Sequence, residues 1–114
     1  MILVDRKTFL GMPIGTVFSK CPDNRVYGII SSIQVLTNVG KCDFSSVDIG
    51  CWHPKEGDFA DAWSSVLDDK KAVEMELSDM RDGLYDESEM YYIFSKDEVQ
   101  QMVNLLTDAL KATE

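Results

Sequence analysis

At Pro54 the hydrophobic period of this chain changes, and that change limits the folds open to it more than any other feature. Before it, apolar residues alternate as they do in strands. Val17 to Lys20 forms one such run, Val26 to Leu36 a second in which Tyr27, Ile29, Ile33 and Val35 share a parity, and Cys42 to Trp52 a third. In the third run Phe44 and Ser46 give way to Val47, Ile49 and Cys51, which predicts a bulge near Ser45-Ser46 where the inward face switches. Ile14 to Thr16, Cys21 to Asn24 and Asn38 to Gly40 supply the turns. The first half therefore reads as an antiparallel meander, preceded by the apolar run Ile2 to Val4 and a helical turn that Asp5 caps.

Beyond Pro54 the spacing is helical. Phe59, Trp63, Val66 and Leu67 fall at i, i+4, i+7 and i+8, which predicts a helix near 58–70, capped by Asp58 and with Trp63 packed inward. Val73 to Leu77 alternates strictly and reads as a strand with one acidic face, unless the helix runs on through it. Ser78 to Glu89 reads as a polar loop and Tyr91 to Phe94 as a strand. Ser95 and Glu98 then form a capping box, and Val99, Met102, Val103, Leu106 and Leu110 make an apolar stripe expected to lie across the sheet. The fold class is α+β, one domain over residues 1–114, for which 45% hydrophobic content suffices without metal or disulfide staples. Within it, Cys51 to Trp63 is a junction between sheet and helix, and Pro54 keeps His53 extended and near the surface.

Charge is unevenly spread. Residues 1–55 carry six basic and four acidic groups, for +2, while residues 56–114 carry five basic and sixteen acidic, for −11. Binding a nucleic-acid backbone directly needs a clustered cationic footprint, so that function is disfavoured and a cationic partner is favoured. Seven carboxylates, Glu74, Glu76, Asp79, Asp82, Asp86, Glu87 and Glu89, accompany a single cation, Arg81, between positions 74 and 89. On a strand their two-residue repeat of about 7 Å resembles the spacing of phosphates; composition alone favours a solvated face that keeps a small domain soluble. Asp5, Arg6 and Lys7 interrupt the first apolar run short of a signal peptide, and no run reaches the roughly 18 apolar residues of a membrane span. A cytoplasmic protein with reduced thiols is the expectation.

No pattern demands a metal, cofactor or catalytic group. Cys21, Cys42, Cys51 and His53 lack any C-x-x-C knuckle and read as small apolar residues and a loop histidine. Ser78 to Glu89 matches an EF-hand loop at Asp82, Gly83 and Glu89 but fails at Ser78, Met80 and Tyr85. No base or oxyanion donor is placed beside a thiol, and an enzyme is not expected.

Three stretches carry a resemblance: Asp5-Arg6-Lys7-Thr8-Phe9-Leu10-Gly11-Met12-Pro13-Ile14-Gly15-Thr16-Val17-Phe18, then Cys42-Asp43-Phe44, then Arg81 to Glu87 leading to Tyr92-Ile93-Phe94 and Asp97-Glu98-Val99. Together they resemble small accessory proteins of tailed phages and prophages with a DRxxFLxxPxGT start and a DGxxDE segment. The resemblance implies a phage protein acting in the bacterial cytoplasm, and it carries over no active-site residue.

Two functions of different class follow as expectations. The first is a non-enzymatic inhibitor of a host protein, such as one of the nucleic-acid-handling machines of anti-phage defence, bound through the seven carboxylates. The second is an oligomeric sponge for a nucleotide signal, in which Trp52 and Tyr92 stack a base and Arg6, Lys7, Lys20, Arg25 or Lys41 hold phosphate. A minor virion or morphogenesis component is a further alternative.

Overall fold

The computed structural model describes residues 1–21, 30, 32–83 and 86–113. Six strands, β1 (Ile2–Asp5), β2 (Val17–Lys20), β3 (Gln34–Val39), β4 (Phe44–Pro54), β5 (Met75–Asp82) and β6 (Met90–Ile93), form one antiparallel sheet in the order β1-β6-β2-β3-β4-β5. Three helices, α1 (Arg6–Leu10), α2 (Phe59–Leu67) and α3 (Lys96–Ala112), complete an α+β domain. The meander runs from β2 to β5, while β6 inserts between β1 and β2. The residues from Val26 to Ile29, including Tyr27, lie outside the described residues, as does Arg25.

The core is built where α1 meets the sheet. The Asp5 carboxylate accepts the Thr8 N–H at 2.8 Å and starts the helix, so that Arg6 and Phe9, three residues apart, turn to the same side. The Phe9 ring stacks on Tyr91 with centroids 4.1 Å apart, and lies 4.6 Å from Phe18 and 5.0 Å from Phe44. With Leu36 these rings form the buried cluster, and Val4, Leu10, Met12, Val39 and Ile93 pack around it. Gly15 takes φ 95° in the turn that follows, a conformation open to glycine, and its N–H donates to the Leu36 carbonyl at 2.8 Å. That bond ties the turn between α1 and β2 to the next strand.

Several expectations are corrected. The covered face of β3 carries Leu36, with Gln34 on the same side; Val35 lies on the other, opposite Val17 and Val47, because the large aromatic surface collects around Phe9. The bulge expected near Ser45-Ser46 falls directly across from them on β3, between Leu36 and Asn38. A second irregularity on β4, between Val47 and Trp52, resets the alternation. Ser78 to Asp82 is strand rather than loop, since the long β4 offers ladder partners from Phe44 opposite Asp82 to Val47 opposite Asp79.

The two amphipathic helices differ from expectation in what they bury. In α2 the inward residue is Ala62, and Trp63 is 44% exposed. The helix rests on the end of β4, with Phe59 edge-on to His53 at 5.4 Å, and this short contact turns Ala62 rather than Trp63 inward. In α3 the capping box forms as predicted, but no residue of the helix is buried. Its first turns border a groove with Met12, Thr16 and Ile93, and the stripe beyond them does not lie across the sheet. The short turn Phe94-Ser95 fixes the helix start next to the Met1 ammonium, which lies 2.7 Å from Glu98, and its later turns extend past the small sheet face that α1 already covers.

Candidate functional site

The seven carboxylates of the acidic stretch divide into two groups. β5 is an edge strand, and Glu74, Glu76, Asp79, Asp86 and Glu87 are exposed along it or just before and after it. Glu76 stands opposite His53 in the ladder, Asp79 accepts from the Thr37 hydroxyl, and Glu74 lies 3.9 Å from the Lys55 ammonium. Asp86 is held in its turn by the Ser88 hydroxyl at 2.6 Å and the Ser88 N–H at 3.0 Å, bonds that, in that order, lower its carboxyl from the ordinary value. Such charges are screened but accessible.

Asp82 and Glu89 are instead half-buried beside cations. Lys20 bonds Asp82, and its ammonium lies 3.8 Å from Glu89. Glu89 accepts from the Tyr91 hydroxyl, which in turn accepts from Arg6 Nη1 at 2.7 Å. Arg6 Nη2 donates to the Cys42 carbonyl at 2.7 Å, so the side chain, only 4% exposed, ties α1 to β6 and to the residues before β4. Its Nε is buried without a hydrogen-bond partner among the described residues. Burial, and then the adjacent Glu89 carboxylate, push the Tyr91 hydroxyl well above its usual pKa, so it remains a proton donor. Sequence reasoning assigned Arg6 and Lys20 to phosphate and Glu89 and Asp82 to a partner. The signal that would have separated them is the i, i+3 spacing of Arg6 and Phe9 behind the capping Asp5, which places Arg6 on a buried helix face.

Three of the five cations proposed for phosphate do come together. Arg6, Lys7 and Lys41 line an open cavity of about 400 Å³, together with Asp5 and Glu87. Lys20 is at the Asp82 pair, and Arg25 lies outside the described residues. Neither proposed stacking residue lines that cavity: Trp52 donates its indole N–H to the Ile49 carbonyl at 3.1 Å, and the Tyr92 hydroxyl lies 3.4 Å from Cys21 Sγ.

Of the thiols and the imidazole, Cys51 and His53 approach one another, with Sγ 3.8 Å from Nε2. Among the described residues no three His, Cys, Asp or Glu side chains are grouped to hold a metal, and no helix is long and apolar enough to cross a membrane. Comparison with protein-family models, curated proteins and solved structures finds no significant match.

Proposed function

We propose that this chain is a non-catalytic binding protein that captures and inhibits a cationic host protein through the exposed carboxylates of its β5 edge. The observation that carries this reading is the placement of Glu74, Glu76 and Asp79, which remain exposed on the edge strand β5 or just before it, with Asp86 and Glu87 exposed after it, while Asp82 and Glu89 are paired with Lys20 and Arg6. An edge strand also offers backbone donors and acceptors to a partner, so charge supplies attraction and the ladder supplies register. The resemblance of the chain's ends to phage and prophage accessory proteins directs the search to bacterial proteins, those of anti-phage defence first. Capture from host lysate on immobilised protein tests the reading: the partner should elute as salt rises, and a complex indifferent to salt would rule the electrostatic version out.

The cavity beside Arg6, Lys7 and Lys41 favours a second reading, a sponge for a nucleotide signal. Native mass spectrometry of protein purified from infected cells separates the two, because a sponge carries a small phosphorylated ligand and an inhibitor does not. Within this reading the phosphate would lie against Lys7 and Lys41, since the Arg6 guanidinium is already committed to Tyr91 and Cys42.

A further inference from the structure

Sequence spacing alone put no base beside a thiol; the structure does. Cys51 Sγ lies 3.8 Å from His53 Nε2, and both side chains are half-buried. The register explains the meeting. The ladder between β4 and β5 breaks between Val47, opposite Asp79, and Trp52, opposite Leu77, so the run Asp48 to Cys51 bulges across from Ser78. Beyond the bulge His53 stands opposite Glu76, as Ser46 stands opposite Met80 before it. Glu76 and Met80 share a face of β5, so the bulge brings Cys51 and His53 to the face that carries Ser46, and their i, i+2 spacing sets them side by side. The Gly50 N–H donates to the Asp48 carboxylate at 2.8 Å and the Trp52 indole N–H to the Ile49 carbonyl at 3.1 Å, bonds that hold the bulge. Phe59, the first residue of α2, meets the imidazole edge-on at 5.4 Å and fixes its plane.

Cys51 also opens on a cavity of about 280 Å³. Its lining is of mixed sign, with Lys20 and Asp82, paired to each other, beside Arg81 and Asp48. Such a lining suits a small zwitterion better than a simple anion or cation. A thiol, a base in contact with it, a packed ring that orients the base and room for a reactant are the parts of an activated cysteine. Attack on a disulfide builds no oxyanion, so that reaction needs no further donor.

We propose that Cys51 is a modification site, at which a small zwitterionic disulfide of the cystine class is captured as a mixed disulfide with His53 as the base. His53 Nε2 takes the thiol proton, and the Cys51 thiolate attacks one sulfur of the reactant. The Cys51 Sγ–S bond forms as the reactant's S–S bond breaks, and the departing thiolate takes the proton from the imidazolium and leaves as a thiol. Cys51 is oxidised and the disulfide is reduced. The step occurs once per chain, so it goes beyond the binding function without making the protein an enzyme. Its gain in rate is bounded. Only a few per cent of an ordinary thiol is ionised at neutral pH, and a more stable thiolate is also a weaker nucleophile, so the base is worth about tenfold.

Cystine added to the purified, reduced chain near neutral pH tests the proposal, with intact mass giving the extent of reaction and tandem mass spectrometry the position. The wild type should gain its first adduct at Cys51, ahead of the more exposed Cys42. His53→Gln and His53→Asn should each slow the reaction at Cys51 about tenfold, while Cys42 in the same molecules reacts as in the wild type. Packing loosened around β4 would instead expose Cys51 and speed it. The uncharged 2-hydroxyethyl disulfide should favour Cys51 over Cys42 less strongly than cystine does. A first adduct at Cys42, an unchanged or faster Cys51 in both His53 variants, or the same preference for the two disulfides would each overturn it. Because these readouts need no host protein, failure here leaves the β5 reading standing, and failure of that reading leaves this one.

Discussion

The Arg6 guanidinium donates to the Tyr91 hydroxyl at 2.7 Å across 85 positions of sequence. The bond joins the first helix to the last strand at the base of the aromatic cluster, where Phe9 lies flat against the same tyrosine ring. Removing the hydroxyl leaves a buried guanidinium N–H and the Glu89 carboxylate each short of a partner. Tyr91→Phe should therefore lower stability by about 1–3 kcal/mol although ring volume is kept. Chemical denaturation of the two proteins checks it, and an unchanged midpoint would show that water satisfies both groups.

Phe9 and Trp63 should respond in opposite ways to truncation. Phe9 touches three other rings and is fully buried, so Phe9→Ala should cost about 3–5 kcal/mol. Trp63 is nearly half exposed, and Trp63→Ala should cost about 1 kcal/mol or less. Thermal melts of the pair decide between this core and one in which α2 supplies the central aromatic.

Acid should loosen the start of α3 only at very low pH. The Met1 ammonium, with the Ser95 N–H second, holds the Glu98 carboxyl down to about 2 from its ordinary 4.5. A carboxyl depressed by folding stabilises fully above its unfolded value, and that contribution fades as pH falls from 4.5 toward 2. The melting difference between wild type and Glu98→Gln should accordingly be constant from pH 4.5 to about neutrality and shrink below 4.5. N-terminal acetylation should reduce the difference throughout.

The legible parts of this fold were those in which local chemistry decides. The Ser95-Glu98 box, the Asp5 and Asp58 caps and the strand Val17–Lys20 depend on neighbours in sequence, and they stand where the pattern puts them. The rest depends on what lies across the sheet. Trp63 looked inward because helical spacing shows which residues share a face without showing how far that helix overlaps a strand. Ser78 to Asp82 looked like loop because its polarity conceals a ladder that only the length of β4 reveals. Asp82 and Glu89 looked like surface charge until Lys20 and Arg6 were seen beside them.

That division of the carboxylates is the centre of the functional account, and its most direct test is partner capture by a variant in which Glu74, Glu76 and Glu87 become Gln and Asp79 and Asp86 become Asn. Asp82 and Glu89 stay in place, so the Lys20 and Arg6 pairs and the fold are retained. Immobilised beside the wild type and exposed to the same bacterial lysate, the variant should lose the proteins that the wild type releases between about 0.1 and 1 M salt, the range over which the Debye length falls from about 10 to 3 Å. Capture of the same proteins by both, with the same salt profile, would contradict the account.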